Sequence, residues 1–242
     1  MRVSYIISYR HTPERILNLR RVLDWLRGFN NIDVIVVEQD THSKISHLSL
    51  NAKHIFIKSD NAVYNKSWAF NVALKRQNNH VVVFADSDIV MDPNELIASI
   101  SELNNYDVVS PSKSVINLSP ADINYPIDAL KTLNRATQDT NICGGIVIFK
   151  PDAIFKIGGW SEAFEIIGNS VKFQDFKLKL MGINYTELDY RCYHYAHQKL
   201  DFSENQKNRD ASVLEQLTGL DVNKLQFHIS STVGKIGALN KY

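Results

Sequence analysis

Two stretches constrain the fold more than anything else in the chain. Ile32 to Glu38 (IDVIVVE) and Val81 to Ala85 (VVVFA) are nearly continuous apolar runs rich in β-branched residues. A strand that is apolar on both faces must be covered on both faces, the condition of a parallel strand held between layers of helices. The neighbouring segments agree. Val3 to Ser8 (VSYIIS) reads as a first strand; Thr12 and Pro13 then open a helix whose Ile16, Leu19, Val22, Leu23 and Leu26 recur at helical spacing until Gly28. His54 to Ile57 reads as a weak strand and Lys66 to Gln77 as a helix. Asp92, Pro93 and Glu95 cap the start of another helix, whose buried stripe is Leu96, Ile97, Ile100 and Leu103. Tyr106 to Ser110 follows as a strand. The alternation predicts an α/β fold: a Rossmann-like, mostly parallel sheet flanked by helices, with ligands at the carboxyl ends of its strands.

From Pro111 to Asn141 the periodicity is poor, which predicts a long excursion with one helix around Ile127 to Leu133. Order returns with a strand at Ile142 to Phe149, a helix from Pro151 to Ile157, a Gly158-Gly159 turn, a helix from Gln174 to Met181 and a strand at Asn184 to Leu188. Beyond Arg191 the chain is polar and is expected to wrap the main body. The 242 residues read as a single domain with halves at about 1–110 and 111–242. With 44% hydrophobic and 22% charged residues, disordered and fibrous classes are excluded. A formal charge of +1 provides no global field for nucleic acid or anionic lipid, so nucleic acid is a disfavoured partner. No apolar run approaches the roughly 20 residues of a membrane span, and a cytoplasmic location is expected. The two cysteines, Cys143 and Cys192, have no C-x-x-C spacing and read as reduced, packed thiols.

Chemistry concentrates at Asp86-Ser87-Asp88, directly after VVVFA. Carboxylates on a turn leaving a buried strand can converge on a hard divalent cation that also takes phosphate oxygens. The tripeptide alone is also an ordinary strand-end turn. Its context carries more: FADSD after a strand, CGGIVIF before a helix, IGGWSEAF, then QDF resemble, in order and separation, the galactosyltransferase-type enzymes of the GT-A glycosyltransferase fold, chondroitin-polymerase-like bacterial enzymes among them. Tyr64 to Ala73 (YNKSWAFNVA) is similar to their helix that reaches the nucleotide-sugar, and VIVVEQD to their second strand and uridine-side loop.

The resemblance, over roughly residues 3 to 210, implies a nucleotide-binding first half and an acceptor-binding second half. Asp86, Ser87 and Asp88 become the diphosphate and metal motif, with Asp88 favoured as the direct ligand and Asp86 beside it. Lys66, Trp68 and Asn71 become nucleotide-sugar contacts. Ser8 and Arg10, at the end of the first strand, are placed to hold uridine or ribose, Arg10 being weighed equally as a surface residue. Glu38, Gln39 or Asp40 reads the pyrimidine edge, with the choice among the three open. Gly144 and Gly145 bring backbone close to donor sugar and acceptor, while Trp160, Glu162 and Phe164 form the acceptor wall. Asp175, near the expected start of its helix, is the catalytic base; Gln174 stands where an acidic residue usually precedes it. A third metal ligand comes from the tail, His197 being favoured over His194, and Lys199, Lys207 and Arg209 either pair with diphosphate or form a solvated face.

Together these imply an inverting transferase, dependent on Mn²⁺ or Mg²⁺, that moves a hexose or N-acetylhexosamine from a UDP-sugar to a saccharide hydroxyl. A carboxylate must take the proton of such a hydroxyl as it attacks. Two alternatives stand beside it: a non-catalytic nucleotide-sugar or carbohydrate-binding module, and a transferase whose acceptor is a hydroxyl on a nucleic-acid base, for which the basic stretch Lys172 to Lys179 leaves room.

Overall fold

The computed structural model describes residues 1–48, 50–60, 64–198 and 202–239. In chain order the elements are β1 (Val3–Tyr9), α1 (Pro13–Leu26), β2 (Ile32–Asp40), β3 (Lys53–Lys58), α2 (Lys66–Leu74), β4 (Val81–Asp86), β5 (Ile89–Met91) and α3 (Pro93–Ser101). Next come β6 (Val108–Ser110), β7 (Ser114–Asn117), α4 (Ile127–Leu130), β8 (Thr137–Asp139), β9 (Ile146–Phe149), α5 (Pro151–Lys156) and α6 (Ile167–Leu180). The last are β10 (Tyr185–Glu187), β11 (Cys192–His194), α7 (Glu204–Thr218) and α8 (Val222–Thr232).

Among the described residues β1 lies between β4 and β2 in a seven-stranded sheet ordered β10-β6-β9-β4-β1-β2-β3. Its register pairs Val3 with Ile32 on one side and Val81 on the other, both parallel. Successive side chains of β1 enter opposite layers, as a strand of period two requires. Tyr5 and Ile7 pack with Leu19, Val22 and Leu96 on the α1 and α3 side, and Ile6 packs with Trp68, Phe70 and Trp160 on the α2 side. The parallel sheet and its helical cover therefore match the apolar runs. One strand departs from them. β9 lies antiparallel to both β4 and β6, so the second half of the chain completes the sheet begun by the first.

Several boundaries correct the sequence reading. α2 stops at Leu74 rather than Gln77, and all nine of its residues are buried, so it is clamped on every side rather than amphipathic. α6 begins at Ile167, not Gln174, because tertiary contacts override the weak helix propensity of Gly168 and Asn169. Asp175 is therefore mid-helix. The excursion from Pro111 holds β7 and β8, which join β5 and β11 in a second, four-stranded sheet ordered β5-β11-β7-β8. The polar tail forms α7 and α8. Ser203 and Gln206 make a reciprocal capping box at α7, and the Asp221 side chain caps α8. Phe164, Phe173 and Leu225 build a third core beneath these helices. Both cysteines are buried and unpaired. No helix of the described residues is long and apolar enough to cross a membrane.

Candidate metal centre

The two sheets meet at Asp88. β4 ends at Asp86 on the carboxyl edge, the chain turns through Ser87 and Asp88, and β5 leaves antiparallel to β11 with Ile89 opposite His194. The Tyr195 amide donates to the Asp88 carbonyl at 2.8 Å, which brings the following residues back over the turn. As a result His197 Nε2 lies 3.1 Å from Asp88 Oδ2, His194 Nε2 lies 3.6 Å from Asp88 Oδ1, and the two Nε2 atoms are 3.3 Å apart.

The hydrogen bonds behind the rings set their tautomers. His194 Nδ1 is 2.9 Å from Asn117 Oδ1, and His197 Nδ1 is 2.8 Å from the Gln198 carbonyl oxygen. A carbonyl oxygen only accepts, so each Nδ1 donates, and in the neutral ring each Nε2 then presents a lone pair. Two lone pairs and a carboxylate facing one another repel unless a proton or a metal cation lies among them. Their separations also suit one: metal bonds of about 2.1 Å place adjacent ligands of a six-coordinate ion about 3 Å apart. Asp88, His194 and His197 thus fit a divalent cation without rearrangement. Burial pushes the Asp88 carboxyl up, His194 opposes that shift, and the neighbouring Asp86 adds to it. A bound cation would reverse the balance in favour of the carboxylate.

The sequence reading weighed His197 against His194, and the structure brings both. Asp86 is not part of the converging trio. Its Oδ1 pairs with Lys66 Nζ, which holds the N-terminus of α2 against this turn. Ser8, Arg15, Tyr64, Asp86, Ser87, Asp88 and the two histidines line one cavity of about 90 Å³. Gly145 adjoins it through the backbone: its carbonyl accepts the Asp86 amide at 3.1 Å, and its φ of +70 with an ideal Cβ 3.1 Å from Ile89 explains why glycine stands there.

Other expected contacts are committed elsewhere. Arg10 donates to the Gln39 carbonyl, Ser59 Oγ and the Asp60 carbonyl, which ties together the ends of β1, β2 and β3. Glu38 is fully buried and accepts from Ser43, Lys44 and His54, so it organises the loop after β2. Trp68 is a core ring whose Nε1 donates to Ala238, and Asn71 brackets Trp160, donating to its carbonyl and accepting its amide. Trp160 packs its ring against Phe70 and Phe84, and Phe164 against Phe173. Both are core aromatics, although Trp160 and Glu162 also line a second cavity of about 470 Å³ under α8. Buried Gln174 donates to the Gly159 carbonyl. Arg209 pairs with Glu165 and Lys207 with Glu204, which fits the solvated face rather than the diphosphate contact; Lys199 lies outside the described residues.

Asp175 has a definite task. Its Oδ2 accepts the Ile142 amide and its Oδ1 the Cys143 amide, both at 3.0 Å, so it anchors the segment that leads into Gly144 and Gly145. Burial raises its carboxyl, and the two amide donors pull it back.

A scan of protein-family models and a search of curated proteins each found no match. Solved structures do match. The catalytic domain of Drosophila β1,4-galactosyltransferase 7, solved with xylobiose, aligns with a TM-score of 0.55 and 14% identity over 87% of this chain and 79% of that one. Residues 1–349 of S. aureus TarS, solved with UDP-GlcNAc, align with a TM-score of 0.60 and 15% identity over 93% of this chain and 69% of that one. The chain has the GT-A glycosyltransferase fold. On this framework Asp88, His194 and His197 stand at the carboxyl edge of β4, where ligands of open α/β sheets bind.

Two residues that line the cavity at Asp88 were not singled out as contacts from the sequence. Tyr64, which opens the YNKSWAFNVA segment, shares a hydrogen bond with Ser8 Oγ at 2.9 Å. Arg15 had a readable signal: a cation in the first turn of a helix, where the macrodipole disfavours it.

Proposed function

We propose that this protein is a divalent-metal-dependent, inverting glycosyltransferase that moves a hexose or N-acetylhexosamine from a UDP-sugar to a saccharide hydroxyl. The observation that carries this reading is the convergence of Asp88 with two Nε2 lone pairs on a GT-A fold. One carboxylate with two imidazoles favours manganese over magnesium, which prefers an all-oxygen shell. A cation held there supplies charge stabilisation to the leaving diphosphate. Ser8, Tyr64 and Ser87 offer hydroxyls to the same ligand. Asp175 is the base in this reading, taking the acceptor proton on the side of the Gly144–Gly145 backbone as the acceptor oxygen displaces the diphosphate.

A second reading, a nucleotide-sugar-binding module without transfer, is favoured by the two amide donors that already engage Asp175. Release of UDP from a panel of UDP-sugars with manganese, with and without saccharide acceptors, separates the two. Transfer predicts acceptor-stimulated release and a β-linked product from an α-linked donor; UDP-sugar binding without release supports the module. Asp175→Asn should lower turnover by roughly 10²–10⁴-fold with UDP affinity nearly unchanged. Near-normal turnover would leave Asp175 as an anchor of the glycine segment only.

A further inference from the structure

Arg15 stands out among the residues that line the metal cavity. It is only 6% exposed, yet among the described residues no carboxylate lies within ion-pair distance of it. Its Nε has no hydrogen-bond partner, and Nη2 has a single contact, 3.5 Å from His197 Nδ1. Since that Nδ1 already donates to Gln198, the contact is not a hydrogen bond to the guanidinium. Of the two carboxylates that line the same cavity, Asp86 pairs with Lys66 and Asp88 faces the two histidines, so neither neutralises the guanidinium at contact distance, and a buried cation so placed is disfavoured. Its place in the first turn of α1 adds the helix dipole to the same penalty, and a cation bound by Asp88, His194 and His197 would add more. All three positive sources face one cavity, and one kind of ligand relieves them together: an anion with several oxygens, able to reach metal and guanidinium at once.

We infer that Arg15 is a diphosphate-binding residue that makes metal and nucleotide bind cooperatively, its guanidinium and the cation gripping different oxygens of the same diphosphate. The inference rests on the reading of this site as a nucleotide-sugar site. Arg10, the arginine that the strand end suggests, is already bonded to Gln39, Ser59 and Asp60, whereas Arg15 has its planar fork of donors available. In transfer, the bond between the anomeric carbon and the diphosphate oxygen breaks with its electron pair left on that oxygen. The acceptor oxygen bonds to the carbon, and its proton passes to the base. The charge that collects on the leaving diphosphate is the charge Arg15 is placed to meet.

Calorimetry on the full chain tests this with three probes: manganese alone, UDP with manganese, and inorganic pyrophosphate with manganese. Arg15→Met keeps the length and apolar stem of the side chain while removing its charge. UDP and pyrophosphate affinity should fall roughly 10- to 100-fold, the range for a lost charge-assisted hydrogen bond. Manganese alone should bind as well as, or better than, in wild type, and the ligand-free melting temperature should hold or rise. Arg15→Lys should restore part of the anion affinity. Anion affinity within twofold of wild type in Arg15→Met would overturn the inference. So would a lower melting temperature with weaker binding of manganese alone, since Arg15 would then be a prop for His197. Wild-type binding of pyrophosphate but not UDP would defeat the nucleotide reading and leave Arg15 as an anion site; binding of neither would defeat both.

Discussion

Lys177 shows how far a side chain's setting can depart from what its neighbours in sequence imply. Between exposed Lys172 and Lys179 it looks like part of a basic face, but α6 turns it inward, where Nζ donates to the carbonyls of Ile157 and Gly159 at 2.9 and 2.5 Å. Burial pulls its ammonium down to about 7. The unfolded chain, with a lysine near its usual value, then binds more protons than the native state above pH 7. Stability contributed through this group should therefore rise with pH from about 7 and level off near the unfolded value of about 10.4. Urea unfolding of wild type against Lys177→Met at pH 6 and pH 9 should show wild type gaining on the order of 2 kcal/mol relative to the variant at the higher pH. A constant difference would mean that the two carbonyls keep the ammonium charged throughout. At this scale the sequence singled out Asp88 by its place after a buried strand, while His197 was favoured over His194 only by resemblance, and the structure sets both rings beside Asp88. The sequence was silent on the commitments of Glu38, Arg10 and Asn71, whose partners come from distant segments.

Elements are tied to one another by a few buried polar groups. α6 has no side-chain cap of its own at Ile166; instead Asp210, wholly buried on α7, accepts the Glu165 and Ile166 amides at 2.9 and 2.7 Å. One helix thus caps another, which is why the start of α6 cannot be read locally. Asp210→Ala leaves both amides unsatisfied and should cost about 2 kcal/mol or more. Hydrogen exchange should show the loss as fraying of the first turn of α6, with β1 and β4 still protected; unchanged exchange there would remove Asp210 from this role. α7 and α8 were not read from the sequence, although their signals are there. Ser203-x-x-Gln206 is a capping box, and Leu214, Leu217, Leu220 and Leu225 mark the apolar faces that cover Phe164 and Phe173. The polarity of the outer faces hid them.

For the whole molecule, the parallel core was readable because a strand covered on both faces leaves an uninterrupted apolar run, and β1, β2 and β4 are such strands. The reversal of β9 was not, since an apolar run carries no sign of direction. That reversal and the small second sheet decide where the site lies: β9 delivers Gly145 to Asp86, and β11 delivers His194 to Asp88. In the proposed function these contacts assemble a cation site for a nucleotide diphosphate. This assembly is tested most directly by a crystal structure with manganese and UDP, measured at the manganese absorption edge. One anomalous peak is expected, bonded to Asp88 and to Nε2 of both His194 and His197, with diphosphate oxygens completing its shell and facing Arg15. UDP bound elsewhere, or bound at this cavity with no anomalous peak among the three side chains, would contradict it.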